Sequence, residues 1–422
     1  MKILHITASY KPAYIYGGPI ASVSMLCECL AELEVLRQAQ DDIAKDNWMT
    51  KKVKLNVEVL TTTANGQNEL DVKVGEAKLV DGVLVTYFKR LTKDHSHFSP
   101  GLLWRLSKVL RHFDKLSAGL AEHDKLVIHI HAWWNLVSML SCLIAKWYKV
   151  PVILSPRGML NNYSKGHKNR IAKALLHFFM GKKLLEYCHL HLTSEKEQID
   201  LDSVLKHRNT TVIPNLVNLN FISPTQDSKK NRSTSEQIFK LLLFSRIDKI
   251  KGIDLLFEAL SAINFDYHLT IAGSGDENYI NSLKLKAESL KLDDRINWLG
   301  QVSNDDKFSV MAAHDLLVLP SYNENFANVV IESLSVGTPV LVSKNVGLAD
   351  YVQANALGWV CDLKPLDVAE KITEAYQAVE KREKINSIAP ALIRNDFNDA
   401  ILAKRYMELY EAVLQQAQHD MI

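Results

Sequence analysis

Runs of β-branched and aliphatic residues alternate with stretches of helical spacing down nearly the whole chain, and this alternation constrains the fold more than any other feature. Strand-like runs are "KILHIT", "NVEVLTT", "GVLVTYF", "KLVIHIH", "PVILS" and "LHLTS", and then "KLLLFS", "HLTIAG", "INWLG", "DLLVLP" and "PVLVS". Helical spacing lies between them, over Leu136–Tyr148, Glu195–Leu205, Gly252–Leu260 and Asn278–Leu290. Strands apolar on both faces and separated by helices predict parallel sheets covered on both sides. The series occurs twice. It therefore predicts an α/β protein of two doubly wound, Rossmann-like domains facing across a cleft.

The seam is "FISPTQDSKKNRSTSEQ", polar and without periodicity, which reads as a linker. The expected division is a first domain over 1–217, a linker over 218–237, a second domain over 238–399 and a helix over 400–422 packing back across the linker. A length of 422 residues exceeds what one core holds and agrees with two domains. Residues 37–54 form a charged insertion with no evident chemistry.

Composition excludes several classes. The chain is 47% hydrophobic and 23% charged, ordinary for a soluble globular protein. No window approaches about 18 uninterrupted apolar residues, so no membrane span is expected. "MKILHITASY" reads as a first strand and not a signal peptide. Five scattered cysteines read as reduced thiols of a cytoplasmic protein. Cys27 and Cys29, one residue apart on a helix, point in different directions and make a poor metal site. Residues 1–217 hold 29 Lys+Arg against 20 Asp+Glu, whereas the remainder holds 21 against 28. A basic first half fits an anionic surface or substrate nearby, or an unevenly charged solvated surface.

The most informative segment is "NENFANVVIESLSVGTPV", Asn323–Val340. It follows the strand "DLLVLP", and Phe326, Val330 and Leu334 share one helical face that Gly337 and Pro339 terminate. Glu324 and Glu332 flank the start of that helix, whose free N–H groups attract anions. Helical rise would set them on the order of 12 Å apart, wider than the roughly 5–9.5 Å of a glycosidase carboxyl pair. A ligand with hydroxyl clusters at each end and an anion between, such as a nucleotide diphosphate sugar, suits that spacing; an exposed glutamate pair is the plain alternative. "SRIDKIKG" sets Arg246 and Lys251 after the first strand of the second domain, where two cations could neutralise a diphosphate. "IAGSGDE" is a glycine-rich turn of the kind that lets backbone approach a ligand. In the first domain "YIYGGPIASV" opens a helix with Gly17 and Gly18 before Pro19, again exposing backbone N–H groups or simply turning the chain.

Together these residues resemble the group 1 (family 4) retaining glycosyltransferases of GT-B fold. "ENFANVVIE" matches their E-x7-E motif, "SRIDKIKG" resembles G-R-L-x-x-x-K-G, "IAGSGDE" their I-x-G-x-G, and "VIPNLVNLN" their I-P-N-G-V-D. "YGGP", "HIHAWW", "SPRGML" and "TSEKE" resemble stretches of the first domain. The resemblance implies that Arg246 and Lys251, with backbone at Gly17 and Gly18, bind the donor diphosphate. Glu332 would take ribose hydroxyls, and Glu324 with Asn325, Phe326, Ala327 and Asn328 would hold the transferring sugar. Gly273, Gln301 and Val302 would border the nucleoside, and His131 would sit beside the sugar. Arg157 is placed on the acceptor side, and Trp133 with Trp134 fits either an acceptor cleft or core and rim packing. It further implies a metal-independent, retaining hexosyltransferase without cofactor. Such an enzyme would move sugar from a UDP- or GDP-linked donor to a glycan or lipid-linked acceptor for surface polysaccharide, with no nucleic-acid partner.

Three departures stand out: Ala327 and Leu216 where the family generally has glycine, and Asp248 inside the cationic loop. His129 and His131 share a strand face, but no third metal ligand is evident in sequence. His95 and His97 read as a solvated loop. Ser164–Leu185 joins basic residues to an amphipathic pattern and fits either a peripheral contact with the inner face of an anionic membrane or a plain outer helix. The competing readings are a non-hydrolysing sugar-nucleotide epimerase of the same fold, an inactive homologue serving as a binding or scaffold protein, and a two-domain solute-binding protein.

Overall fold

A computed structural model describes residues 1–43, 55–94, 96–117, 125–160, 181–203, 205, 209–219 and 238–419. Residues 44–54 of the charged insertion, His95, residues 164–180 of the basic stretch and residues 220–237 of the linker lie outside the described residues. Contacts divide the chain into two units, Met1–Leu216 with Asp399–Ile422, and Val217–Asn398.

The strands of the first unit are β1 (Lys2–Ile6), β2 (Asn56–Thr62), the short ribbon β3 (Ala64–Asn65) and β4 (Asn68–Glu69), β5 (Ala77–Val80), β6 (Val83–Phe88), β7 (Leu126–His131), β8 (Val152–Ser155), β9 (His189–Leu192) and β10 (Thr210–Val212). Eight of them form one sheet in the order β10-β9-β8-β7-β1-β2-β6-β5. Its neighbours run parallel except β5, which returns antiparallel along β6. Asp81 and Gly82 make that reversal, both at positive φ (46° and 82°), as a two-residue hairpin turn requires.

The period-two alternation of the central strands sorts this sheet into two unlike faces. Leu4, Ile6, Ile128, Ile130 and Leu154 share a buried apolar cluster with Leu102, Leu106, Val137 and Cys142 of the helices Pro100–Ser117 and Leu136–Trp147. The intervening residues, His5, His129, His131, Ser155 and His191, are polar and all at most 1% exposed. The C-terminal helix, Asp399–His419, supplies their partners. Tyr410 hydroxyl lies 2.8 Å from His129 Nδ1 and Tyr406 hydroxyl 3.0 Å from His191 Nε2. Ser155 Oγ bridges the two rings, at 2.7 Å from His129 Nε2 and 2.7 Å from His191 Nδ1. The terminal helix is thus fastened by directed hydrogen bonds as well as by the buried Leu402, Ala403 and Leu414.

The second unit holds β11 (Phe239–Phe244), β12 (Tyr267–Ala272), β13 (Ile296–Gly300), β14 (Leu316–Leu319), β15 (Val340–Ser343) and β16 (Gly358–Cys361). They form one parallel sheet in the order β13-β12-β11-β14-β15-β16. This is the doubly wound order with a topological switch point between its first and fourth strands, β11 and β14. Helices follow most strands, among them Ile253–Leu260, Glu277–Ser289, Asn304–Ala312 and Asn328–Ser335, the first two close to the bounds that their periodicity predicts.

The buried imidazoles make stability depend on acid. Burial, with the nearby Arg157 guanidinium, lowers His5 from 6.5 to about 3. Burial likewise lowers His191 to about 3. His129 and His131 are lowered as well, first by burial and then by neighbouring charges. The unfolded rings bind protons near pH 6.5 that the folded rings refuse until about pH 3. Stability is therefore complete above the upper value and drains as pH falls through that interval, at up to about 1.4 kcal/mol per pH unit for each ring. Urea unfolding between pH 7 and pH 4 is expected to show this loss. Tyr410→Phe, which strands His129 Nδ1, is expected to cost about 1–2 kcal/mol at neutral pH.

Candidate active site

The switch point of the second unit gathers the residues that the sequence singles out. Ser245–Gly252 leaves the carboxyl end of β11 and Pro320–Ala327 leaves that of β14. The two loops are stitched together by a hydrogen bond from Tyr322 N–H to Ile250 carbonyl (2.8 Å). Gly252 permits this approach: its φ is +68°, and a Cβ there would stand 2.1 Å from Pro320 carbonyl oxygen. Asp248, a departure from the family pattern, builds the turn. Its carboxylate accepts from Ile250 N–H at 3.0 Å at the start of the 3-10 turn Lys249–Lys251.

Lys251 Nζ consequently forms an ion pair with Glu324 Oε2, with side chains only 12% and 23% exposed. Glu324 is itself fixed by backbone, donating to Asn345 carbonyl (3.1 Å) and accepting from Gly347 N–H (2.8 Å). Arg246 stands exposed at the end of β11 with no ion-pair partner among the described residues. A second pair lies one helix further on, where Lys307 Nζ meets Glu332 Oε1 at 2.8 Å, 14% and 12% exposed. Such shielding makes both pairs stronger than surface contacts, and in each the second carboxylate oxygen has no hydrogen bond among the described residues. Lys307 sits on the helix that follows Gln301 and Val302; nothing in the motifs marks it. Its signal would have been the helical phase that brings Asn304–Ala312 beside Asn328–Ser335.

Several expectations change. Only residues from Asn328 onward are helical, so the 12 Å helical spacing does not apply to Glu324, which lies in the preceding loop. Gly273 and Gly275 are dictated by protein backbone: a Cβ would stand 1.8 Å from Ser245 carbonyl oxygen at the first and 2.1 Å from that of Ile247 at the second. Close approach is required there, but the approaching group is the β11 loop. Gln301, at the end of β13, accepts from Ser274 Oγ at 2.8 Å, and Val302 beside it is half-buried. Phe326 is 3% exposed and packs edge-on against Phe397, so it anchors the loop in the core. Asn325 and Asn328 flank it, half-buried. Ala327 holds φ +74° and ψ +74°, a left-handed conformation that costs an alanine energy and explains the family's glycine.

The switch point of the first unit lies between β1 and β7. Gly17 (φ +68°) precedes the helix Gly18–Ile43, but its N–H already donates to Tyr14 carbonyl at 2.9 Å, so Gly18 alone of the two keeps the expected open amide. His131, last residue of β7, faces inward with 1% exposure. Its Nε2 lies 3.0 Å from His5 Nδ1 and its Nδ1 lies 3.4 Å from Arg157 Nη2, so neither ring nitrogen is open to a sugar. Arg157, at φ +51°, also donates to Ser22 Oγ (3.0 Å) and Asn215 Oδ1 (3.1 Å). Of the two readings of Trp133, the structure favours core packing: it is fully buried in the apolar cluster. Leu216, the other departure, is 1% exposed and serves packing.

A third imidazole does join the pair read from sequence: ring nitrogens of His5, His129 and His131 lie within 4.8 Å of one another. Five of their six nitrogens are hydrogen-bonded to protein and a guanidinium adjoins the set, leaving His5 Nε2 as the orphan. Neutral donors beside a fixed cation suit a polar core better than a dication.

Residues 225–391 match the family model for glycosyl transferases group 1. The second unit is a group 1 glycosyl transferase domain. The chain is 24% identical over 46% of its length, and 51% of the other, to N-acetyl-alpha-D-glucosaminyl L-malate synthase of Bacillus anthracis. It spans about half the length of the curated relatives that it matches. Sucrose-phosphate synthase from Thermosynechococcus elongatus superposes with a TM-score of 0.70 at 19% identity, covering 99% of this chain and 100% of that one. Anabaena HepE in complex with UDP and glucose superposes at 0.65 and 19%, covering 98% and 100%. The fold is that of these GT-B proteins, two Rossmann-like units in one chain.

Two substitutions test the geometry of the glycosyl transferase domain. Ala327→Gly relieves the left-handed backbone and is expected to raise stability by roughly 1 kcal/mol in urea unfolding, where an alanine-to-glycine change elsewhere would lower it. Lys307→Met and Glu332→Gln are expected to be non-additive, coupling by about 1 kcal/mol in a double-mutant cycle; additive losses would deny the pair.

Proposed function

We propose that the protein is a retaining hexosyltransferase that moves a sugar from a UDP- or GDP-linked donor to a glycan or lipid-linked acceptor in surface polysaccharide synthesis. The observation that carries this reading is the Lys251–Glu324 ion pair at the crevice between β11 and β14, where doubly wound sheets bind ligands, with Arg246 exposed on the same β11 loop. Arg246 and Lys251 neutralise the donor diphosphate as fixed charges, so the reaction needs no metal and no cofactor. Glu324 takes hydroxyls of the transferring sugar, with backbone at Asn325 to Asn328, and Glu332 takes the ribose through its second oxygen. Gln301 and Val302 border the base. Anabaena HepE, of the same fold, holds UDP and glucose, which supports a donor of this class.

In the transfer, the bond from the anomeric carbon to the phosphate oxygen breaks and the bond to the acceptor oxygen forms on the same face. The acceptor proton passes to the leaving phosphate. Lys251 strengthens this step as it turns from Glu324 to the phosphate oxygens whose charge grows. The first unit supplies the acceptor side through the loops of its own switch point, where Arg157 is held by His131 and Asn215.

A thermal-shift screen against UDP-, GDP- and ADP-sugars tests the reading, since a ligand at 100 times its Kd stabilises by about 2.7 kcal/mol. UDP or GDP species are expected to raise the melting temperature equally with and without EDTA, and product analysis is expected to show transfer with the anomeric configuration kept. A shift that EDTA abolishes would refute the cation-pair mechanism, and conversion of the donor without acceptor to an epimeric nucleotide sugar would favour the epimerase.

A further inference from the structure

Indole side chains are large and mostly apolar, and a folded chain rarely leaves them in water without use. Two do so here on adjacent helices of the first unit: Trp104 is 66% exposed and Trp147 is 82% exposed, with Leu143 beside the latter at 39%. The helices Pro100–Ser117 and Leu136–Trp147 lie side by side on the apolar face of the sheet, joined where Ser107 Oγ meets Tyr148 hydroxyl at 3.3 Å. Both bury Leu or Val residues in the same cluster, and so does the helix Lys182–Tyr187 through Leu184 and Leu185. All three therefore present their outer faces in the direction away from the sheet.

Those outer faces are basic. Arg105, Lys108 and Arg111 are exposed on the first helix, Lys149 follows the second, and Lys182 and Lys183 are exposed on the third. Among the described side chains of these helices the opposing charge is Glu186, 4.0 Å from Lys182. Lys108 Nζ stands 5.3 Å over the Trp104 ring, cation and indole sharing one patch. Exposed indoles ringed by lysine and arginine are the composition of a surface that seats at the headgroup level of an anionic bilayer, with rings at the acyl boundary and ammonium groups on the phosphates. A second copy of the chain fits worse, because a two-fold contact would press this cationic face against itself.

We propose that the layer bearing Trp104, Leu143 and Trp147 docks the protein on an anionic lipid bilayer. The inference stands apart from the donor site of the second unit. No helix among the described residues is long and apolar enough to cross a membrane, so the contact is one of lying on the surface.

Co-sedimentation of the full chain with vesicles tests it. Binding is expected to vesicles of phosphatidylcholine mixed with phosphatidylglycerol, to be absent with phosphatidylcholine alone, and to weaken as salt rises. The double variant Trp104→Ser, Trp147→Ser is expected to bind about tenfold more weakly or worse, with an unchanged melting temperature because both side chains are in solvent. Lys108→Glu with Lys149→Glu is expected to abolish binding while leaving the fold intact. Failure of the wild-type chain to bind anionic vesicles, or equal binding by the double tryptophan variant, would overturn the proposal. Self-association in sedimentation equilibrium that disappears in the tryptophan variant would assign the face to a second copy instead.

Discussion

The ion pair between Lys251 and Glu324 depends on two strand-end loops of the second unit lying against each other, and most of that unit's architecture serves this closeness. A parallel sheet whose order reverses between β11 and β14 leaves a crevice at their carboxyl ends. Gly252 removes the side chain that would hold the loops apart, and Asp248 folds the intervening residues into a tight turn. The result sets a lysine and a carboxylate in partial shelter, with Arg246 in solvent nearby. On the proposed reading, an anionic ligand there would meet one open cation and one that exchanges its partner, while the main chain at Glu324 is held by its bonds to Asn345 and Gly347.

The first unit solves a different problem. Its central strands place histidines and a serine at every second position, so one face of the sheet would bury polar groups without partners. Two tyrosines of the terminal helix meet that requirement, and the terminal helix thereby belongs to the first unit although it follows the second in sequence. Arg157, in the loop after β8, shares the same network at its edge through Asn215 and through His131, which in turn meets His5. Proton binding by the rings is suppressed by burial, so the network is neutral apart from Arg157 at ordinary pH.

Much of this was legible in the sequence because parallel strands buried on both faces are near-continuous apolar runs and helices announce their period. The doubled βα series and the helix after Ala327 follow from such local signals. The strand order of the sheets does not, since it is decided by packing between distant segments; β5, turned antiparallel by Asp81-Gly82, carried a hairpin signal that the helix-strand alternation obscured. The places of Arg246, Lys251 and Glu324 in loops after strands were legible. Lys307 was not, because its partner Glu332 lies on another helix, and His5 was not, because its neighbours His129 and His131 are joined to it only by the register of β1 against β7. The burial of Trp133 and the inward turn of His131 were hidden for the same reason: sequence gives the strand end but not which way a side chain turns beyond it. Gly273 and Gly275 show the converse, glycines required by a neighbouring loop in place of a ligand.

The central claim is that the crevice between β11 and β14 grips a diphosphate by protein charge. Calorimetric titration of a nucleoside diphosphate and of the matching nucleoside, with Arg246→Met and Lys251→Met beside the wild-type chain, measures it most directly. Two charge-assisted contacts of about 1.5–3 kcal/mol each predict that the wild-type chain prefers the diphosphate by at least a hundredfold and that each variant loses a large part of the preference while still binding the nucleoside. An equal preference in wild type and variants would contradict the account.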